Sequence, residues 1–593
     1  MTETLSNAAG VRWDLAELCA GADEARARWG ELVDWARRYA DEYRGRLAEL
    51  DAAGFRAMLD ERDRLEQELA RVHFYGHSRE STMAADPETN DLATFARDRL
   101  AEIESLLVFA DLEWLDLDDD RAEELLAAEQ LAPYAHKLRV ARQDKPYTLS
   151  EPEEQALNAR RPVVAAWSAL HGRQLATTVI DFDGEPHTID KLLAYLHRED
   201  RDLRLRAIDA LYDGLGPRAD VLAACYDAIV GDRLGMDRLR GYPHPMAAAN
   251  MSNELDDDVV DGMIDAIEQH YPLAQRWFGL KARLLGLDRL QLADQYAPLG
   301  SARSFSWPEA VEIVRATFER FAPRLAEIFT ACVESGHVDA EPREGKVGGA
   351  YCGSITKDVL PFVLMNYTDQ LTNVTTLAHE FGHGTHFALA LDQQAYRSHR
   401  TGIAMAEVPS TFAQLLALDH LLERESDADT VLSVVVDRAE GAFPSVFRQT
   451  VLARFEQRAY ALRAEGKALT SDRLAEVWLE ENGRYYGDSV ELPGGYRLGW
   501  SYIPHFIHAR FYTYAYSFAH LVTLCLYSRY RADPEGFAPL YLDFLAAGGS
   551  ESPIELVARF GLDLRDGSTW DEGFAELDRF VGEAEALAER PAA

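Results

Sequence analysis

Apolar residues three or four positions apart recur along most of the chain, and this periodicity predicts a mostly helical protein. Residues 12–170 are rich in Ala, Leu, Glu and Arg, and Leu65, Leu69 and Val72 show the spacing. The pattern resumes at Ile189 and again from Leu371 to the end of the chain. With 593 residues, a helical chain can bury a large core without disulfide bonds.

Two stretches interrupt the helical pattern and predict β-structure. At residues 177–189 a β-branched run precedes Asp183-Gly184, a strong signal for a hairpin turn. Residues 338–368 combine several glycines with an apolar run that Pro361 interrupts. This second stretch predicts a small sheet directly before the helix that begins near residue 371.

Composition and charge exclude several classes of function. The formal net charge of −39 opposes binding to nucleic acids and to anionic membranes, because both require a basic surface. Residues 511–527 form the most apolar helix candidate, but their polar groups favour a buried helix over a membrane span. The five cysteines form no C-x-x-C pair, and no signal peptide is recognisable. These features predict reduced thiols and a cytoplasmic protein.

Residues 379–383 read His-Glu-Phe-Gly-His, which is the pattern H-E-x-x-H. On a helix, His379 and His383 point from one face toward the same spot, because they lie four positions apart. Two neutral imidazoles are good ligands for zinc, and Glu380 is placed to act on a water bound to the metal. The pattern predicts a hydrolase, whereas the simpler alternative is a helix with two surface histidines.

A catalytic zinc site needs a third protein ligand. Leu389 occupies the position of the third histidine in the extended motif, so a carboxylate from a later helix is expected. Glu407 lies 24 residues after His383 among apolar neighbours, and a buried carboxylate is rare unless it is paired or binds a cation. We therefore predict one zinc ion per chain, held by His379, His383 and Glu407, with Glu380 as the general base.

Further polar side chains are candidates for contact with a substrate. His386 lies three residues beyond His383 on nearly the same face, and both substrate contact and a structural role remain open. Residues 502–516 hold a dense cluster of histidines and tyrosines, which can donate hydrogen bonds to an oxyanion. The alternative for this segment is a core helix whose ends are anchored by tyrosines.

Taken together, these motifs resemble the M3 metallopeptidases, and most closely the oligoendopeptidase F group. The resemblance covers nearly the whole chain. The motifs that carry it are, in order, VRWDL at 11–15, DRDLR at 200–204, LLGL at 284–287, DQYAPL at 294–299, PREGK at 342–346, GAYC at 349–352, HEFGH at 379–383, EVPS at 407–410, and the segment at 504–514.

The resemblance implies a mostly helical, two-lobed clam shell with a deep substrate channel and a small β-sheet beside the H-E-x-x-H helix. A narrow opening would admit short unfolded peptides and exclude folded proteins. The implied domains are an N-terminal helical region at 1–195 with the hairpin, a zinc metallopeptidase catalytic region of the gluzincin type at 196–582, and a C-terminal tail at 583–593. The oligomeric state is left open.

The resemblance also assigns residues to the substrate. It implies that residues 349–351 form an edge strand that pairs with the peptide backbone, a known mode of recognition. In the tyrosine segment, the choices between His505 and His508 and among the three alternating tyrosines, of which Tyr516 is the last, remain open. The predicted substrate-binding residues are Gly349, Ala350, Tyr351 and His386, and those predicted to assist catalysis are His505, Tyr512 and Tyr514.

The leading hypothesis is a zinc-dependent endopeptidase that acts on short peptides. A dipeptidyl carboxypeptidase of the same family is an alternative, and it would need a cation such as Arg343, Lys346 or Arg497 to hold the substrate carboxylate. A helical peptide-binding protein without catalytic activity is a further alternative. Intact Glu380 and the tyrosine cluster argue against the latter.

Overall fold

The computed structural model describes residues 7–300 and 303–589. Over these residues the chain is mostly helical, as the apolar periodicity predicts. The helices are α1 (Ala22–Tyr43), α2 (Ala52–Thr82), α3 (Pro87–Asp116), α4 (Asp119–Leu126), α5 (Ala132–Arg142), α6 (Glu151–Ala176), α7 (Ile189–Ala194), α8 (Arg201–Leu215), α9 (Ala219–Arg240), α10 (Ala247–Ser252), α11 (Asp257–Gln269), α12 (Tyr271–Leu284), α13 (Trp307–Phe321), α14 (Pro323–Glu334), α15 (Leu371–Gln393), α16 (Ile403–Arg424), α17 (Ala428–Phe443), α18 (Gln449–Ala464), α19 (Ser471–Tyr486), α20 (Pro504–His508), α21 (Tyr514–Ala532), α22 (Pro534–Ala547), α23 (Pro553–Ala558) and α24 (Gly567–Ala588).

Short strands form three small sheets in the described parts of the chain. The strands are β1 (Ile180–Phe182), β2 (Glu185–His187), β3 (Leu290–Gln291), β4 (Val338–Asp339), β5 (Tyr351–Gly353), β6 (Phe362–Leu364) and β7 (Val490–Glu491). The antiparallel pair β1 and β2 confirms the predicted hairpin. Its turn residues Asp183 and Gly184 have φ of 56° and 83°, the positive values that a tight hairpin turn requires.

The chain forms two compact units, each built from three separate segments. Unit 1 contains Met1–Lys145, Arg303–Arg424 and Arg529–Leu562, and unit 2 contains Pro146–Ala302, Glu425–Ser528 and Asp563–Ala593. Residues 195 and 196, between which the sequence predicted a boundary, both lie in unit 2. The predicted tail begins inside α24, and its residues 590–593 lie outside the described residues.

The sheet of unit 1 has the strand order β4-β6-β5, which confirms the small sheet predicted before the H-E-x-x-H helix. Strand β6 pairs in parallel with β4 and antiparallel with β5, and its three residues are fully buried. Trp13 attaches the segment at residues 11–15 to this sheet, because its indole Nε1 donates to His337 O at 3.1 Å and to Val363 O at 2.9 Å. The VRWDL motif therefore has a structural role beside β6.

In unit 2, a buried ion cluster explains why two distant motifs occur together. The carboxylate of Asp294 accepts from Arg201 Nη2 at 3.0 Å and from Arg204 Nη2 at 2.9 Å. Asp294 is fully buried, and a buried carboxylate is stable only when its oxygens are paired in this way. The DRDLR and DQYAPL segments thus meet at one carboxylate.

Residues 514–527 of the apolar segment lie in the buried helix α21, as the sequence predicts, whereas residues 511–513 precede it. Thr523 and Ser517 on α21 are fully buried, and their hydroxyls donate to backbone carbonyls, Ala519 O in the case of Thr523 and Val446 O in that of Ser517. Among the described helices, none combines the length and the apolar character needed to cross a bilayer.

Candidate metal centre

Helix α15 carries the H-E-x-x-H residues in unit 1. It begins after Gln370, whose N–H donates to Asn373 Oδ1 at 3.2 Å and so closes the first turn. The buried face of α15 packs on α14, where Phe381 meets Phe329 edge to face with ring centroids 4.6 Å apart. This packing fixes the rotation of the helix and leaves His379 and His383 on its partly exposed side.

Helix α16 crosses α15 at Gly382, and this close approach brings the third predicted ligand to the two histidines. A Cβ atom on Gly382 would lie 2.4 Å from Pro409 O and 2.5 Å from Ser410 Cα, so only glycine fits. Both atoms belong to the α16 backbone and cannot move without moving the helix. Glu407 lies one turn earlier on α16 and faces the same crossing point.

The side chains of His379, His383 and Glu407 form a candidate metal site. Their ligand atoms all lie within 4.8 Å of one another, and Glu407 Oε2 is 3.5 Å from the Nε2 atom of each histidine. Four ligands at about 2.0–2.1 Å in a tetrahedron are separated by roughly 3.3 Å. A typical N–H···O hydrogen bond spans about 2.9 Å. The observed spacing therefore fits a shared metal ion better than it fits direct hydrogen bonds.

Two neighbours orient two of these side chains, those of Glu407 and His379. Ser410 Oγ donates to Glu407 Oε2 at 3.0 Å, and the Gln414 side chain is hydrogen-bonded to His379. Although burial opposes ionisation of Glu407, the two facing imidazoles outweigh it and hold the pKa of this carboxyl below its usual range. Sequence reasoning gave Gln414 no role, yet its position two helical turns after Glu407 could have pointed to it.

Glu380 lies beside the three candidate ligands His379, His383 and Glu407 but is not one of them. Its side chain is 6% exposed, and burial raises the pKa of the carboxyl against the opposing effect of His379 and His383. A carboxylate whose pKa is raised is a stronger base, which suits proton transfer near neutral pH.

Of the residues 349–351 that were predicted to form an edge strand, only Tyr351 lies in β5, whereas Gly349 and Ala350 precede it in a turn. In the described structure β5 pairs with β6 along one side only, so the other side of Tyr351 is an edge. Gly349 adopts φ of 81°, and its carbonyl accepts from Asn366 Nδ2 at 3.1 Å, which holds the turn that leads through Ala350 into β5. Tyr351 Oη donates to Ser81 Oγ at 3.0 Å, so this side chain is anchored.

His386 is buried and therefore differs from the two candidate ligands on the same helix. Its side chain is 2% exposed, and burial lowers its pKa to about 3. The neutral ring packs near Phe387 at a centroid distance of 5.7 Å. This placement is the structural role that the sequence left open, and it presents almost no surface to a substrate.

In unit 2, the structure distinguishes among the histidines and tyrosines of the tyrosine segment, which the sequence could not rank as candidates for substrate contact. His505 stacks on Tyr512 with centroids 5.7 Å apart, and Tyr516 lies 5.3 Å from Tyr512, so these three partly exposed rings form one cluster. His508 is exposed and outside the cluster. Tyr514 is fully buried, its hydroxyl accepts from Asn253 Nδ2 at 3.0 Å, and in this conformation it offers no surface to a substrate.

Two polar side chains from distant segments, Arg233 and Glu456, hold this cluster in place. Arg233 donates to Phe506 O at 2.9 Å and to Ile507 O at 2.7 Å, and so supports α20. Phe511 has φ of 49°, an uncommon value for a residue with a side chain, and its N–H donates to Glu456 Oε2 at 2.9 Å. Sequence reasoning missed Arg233 and Glu456, because nothing local indicates which distant segment they contact.

Comparison with known proteins agrees with these observations. The model of peptidase family M3 matches residues 194–576, and a second model, described as oligopeptidase F, matches residues 113–177. Oligopeptidase PepF of Bacillus subtilis strain 168 is 28% identical over 533 residues, which cover 88% of this chain and 79% of that protein.

Solved structures share the fold. A candidate peptidase from Chlamydophila abortus superposes with a TM-score of 0.85 at 21% identity, covering 98% of this chain and 100% of the other. Oligoendopeptidase F from Enterococcus faecium gives a TM-score of 0.71 at 21% identity, with 96% and 99% covered. The family model spans more than half of the chain, and the predicted resemblance is confirmed: the chain belongs to peptidase family M3 and is a metallopeptidase.

Proposed function

We propose that this peptidase is a zinc-dependent endopeptidase that hydrolyses short unfolded peptides. The observation that carries the proposal is the spacing of His379, His383 and Glu407, whose ligand atoms suit a tetrahedral ion with one position left for water. Zinc fits two imidazoles and one carboxylate at these distances. The names of the relatives, oligopeptidase and oligoendopeptidase, agree with short peptides as substrates.

Glu380 is the proposed general base. When bound, zinc would lower the pKa of a water molecule and polarise the scissile carbonyl. The Glu380 carboxylate accepts the proton of the attacking water as the new C–O bond forms. It then delivers this proton to the leaving nitrogen as the C–N bond breaks, so that the products are a carboxylic acid and an amine.

The substrate backbone is proposed to bind along the unpaired edge of β5. A peptide added there as a further strand would meet the backbone of residues 349–353, while Tyr351 remains held by Ser81. Backbone pairing is insensitive to side chains, and this suits an enzyme that acts on varied peptides. We also propose that His505 and Tyr512 donate to substrate or oxyanion, since both rings are accessible in their unit.

The carboxypeptidase alternative is disfavoured because the cations that it needs are already paired. Arg343 forms a bidentate pair with Asp339, and Lys346 Nζ lies 2.7 Å from the same carboxylate while it also donates to Met365 O. Arg497 faces Asp472 at 3.5 Å. A peptide carboxylate would have to displace these partners.

Glu380→Gln tests the mechanism, with zinc content and cleavage of a quenched fluorescent peptide measured on the same sample. We expect zinc to stay near one per chain while kcat falls by about three orders of magnitude or more. Asp392→Asn is the matched control, since this exposed acid lies on the same helix and should leave both values unchanged. Full activity of Glu380→Gln would exclude Glu380 as the base.

Glu407→Ala tests the ligand set, and we expect it to lose most of its zinc. Normal zinc content in that variant would place the third ligand elsewhere. Peptides with amidated C-termini distinguish the two peptidase activities, because an endopeptidase should cleave them and an obligate carboxypeptidase should not.

A further inference from the structure

Unit 1 contains a cavity that is separate from the metal site. Its volume is about 490 Å³, and helices α2, α3 and α5 enclose it together with residues 396–400, which follow α15. Neither Glu380 nor any of the three candidate ligands lines it. The volume lies within the range of roughly 300–1,000 Å³ that is typical of sites for small molecules.

The walls of the cavity are largely aromatic and aliphatic. Phe55 and Trp114 stack with centroids 5.4 Å apart, and Met58 is a fully buried part of the lining. Tyr39 also lines the cavity, is fully buried, and its hydroxyl has no hydrogen-bond partner within the described structure. Since buried hydroxyl groups are nearly always bonded, this one indicates that a polar atom of a ligand or a water completes the site.

The charged groups of the lining leave one positive charge in excess, with four cationic side chains against three carboxylates. Arg62 pairs with Glu66 at 2.8 Å, and Arg397 pairs with the same carboxylate at 3.0 Å. Asp63, directly behind the lining, also faces Arg397 at 3.8 Å and balances this excess, so recognition of an anion depends on a single cation rather than on the total charge.

Arg400 is the cation of this set that lies at the exposed mouth. Within the described residues no carboxylate pairs with it, and its Nε faces His399 Nε2 at 3.4 Å. Burial lowers the pKa of His399 to about 4, so this neighbour is neutral at physiological pH. Arg400 is therefore placed to accept an anion from outside.

We propose that this cavity binds a small amphipathic carboxylate, with its apolar body packed against the wall formed by Phe55, Met58 and Trp114 and its carboxylate at Arg400. A polar atom on the body would accept from the Tyr39 hydroxyl. Both the C-terminal residue of a short peptide and an aliphatic acid have this chemistry. An amide carbonyl next to the carboxylate would satisfy Tyr39, and this feature favours an N-acylated amino acid.

Calorimetric titration of the zinc-loaded protein tests this site, with N-acetyl-L-phenylalanine, its uncharged amide and decanoate as probes. A Kd on the order of 0.1–1 mM is expected for N-acetyl-L-phenylalanine, in line with its roughly fifteen heavy atoms. The uncharged amide should bind more weakly. Tighter binding of decanoate than of the amino acid derivative would identify aliphatic acids as the source of the ligand.

Substitutions locate the binding. Met58→Trp and Ala110→Leu each add volume to the lining and should abolish binding while peptidase activity shows that the protein is folded. Arg400→Gln should weaken binding up to about fivefold, as expected for an exposed ion pair. Arg139→Gln on the solvent side of α5 is the matched control and should bind normally.

Two results would overturn the proposal. One is an absence of binding for every probe at several millimolar, and the other is unchanged binding in both cavity-filling variants. Equal affinity for the amide and the carboxylate would overturn the assignment of Arg400 and of an anionic ligand.

Discussion

The crossing of α15 and α16 at the candidate metal site and the tyrosine segment at 502–516 are built in different ways. In the first, regular helices present His379, His383 and Glu407, and a single glycine sets the distance between the helices. In the second, a helix of five residues is followed by Phe511 with a positive φ, and polar side chains distant in sequence hold the backbone. Side-chain positions that depend on helical spacing can be predicted from a sequence, whereas those that depend on long-range contacts cannot.

This contrast predicts that the metal site is most sensitive to the contact between its two helices. In Gly382→Ala the new Cβ would meet Pro409 O at 2.4 Å, so α16 must shift and carry Glu407 away. We expect zinc binding to be lost and the protein to be destabilised by about 1–3 kcal/mol. The zinc content of dialysed protein measures the first effect, and thermal unfolding measures the second.

Gly384→Ala is the control for that prediction. It lies two residues further along the same helix, and its Cβ would meet Phe381 Cδ1 at 3.4 Å, an ordinary contact. Its zinc content should stay normal. If both variants bind zinc equally well, the crossing at Gly382 does not set the geometry of the ligands.

The next largest effect is a loss of zinc affinity when Gln414, the neighbour of the candidate ligand His379, is replaced. Gln414→Leu removes the hydrogen bond to His379 and should weaken zinc affinity about 10–100-fold, since loss of such a partner frees the imidazole ring. Competition with a chelator measures the affinity. Gln414→Glu keeps an acceptor of similar size and should recover most of it. Equal loss in both variants would show that packing rather than the hydrogen bond matters.

In the tyrosine segment the corresponding variant should spare the metal. Glu456→Leu leaves the Phe511 N–H without its acceptor, and the unmet group costs about 1–3 kcal/mol. Relaxation of Phe511 would displace Tyr512, so we expect kcat to fall about tenfold or more with zinc content unchanged. Steady-state kinetics with zinc analysis tests this, and Glu456→Gln should retain activity. Loss of zinc in Glu456→Leu would contradict the separation of the two regions.

The smallest expected effect is the pH dependence of stability that Glu456 contributes in the second region. Burial raises the pKa of Glu456 to about 8, against the opposing charge of Arg233. The folded protein holds this proton more tightly than the unfolded chain does, so the stabilisation is complete below about pH 4.5 and is lost as pH rises through about 8. Between pH 5 and pH 9 the Tm of the wild type should therefore fall by several degrees relative to Glu456→Gln, which does not titrate. Parallel Tm profiles would show that Glu456 is already ionised when folded.

Particular residues show how far a sequence-based prediction reaches. The hairpin at Asp183-Gly184 and the placement of His379 and His383 on one side of α15 could be predicted, because a turn or a helical face depends on residues a few positions apart. Glu407 could be proposed from its apolar surroundings, but its distance from the histidines depends on how α16 packs. The burial of Tyr514 and of His386 could not be predicted, because neighbours distant in sequence decide which side of a helix is covered.

The sequence by itself determined that the chain is helical, that two imidazoles share one face of α15, and that Glu380 lies between them, since these follow from residue type and helical period. Only the tertiary structure decided which distant residues hold the candidate site residues of each unit in position. Gly382 allows Pro409 and Ser410 to approach, and Glu456 holds Phe511 across 55 positions of sequence. Such contacts depend on side-chain packing between helices, and packing has no signature within a single helix.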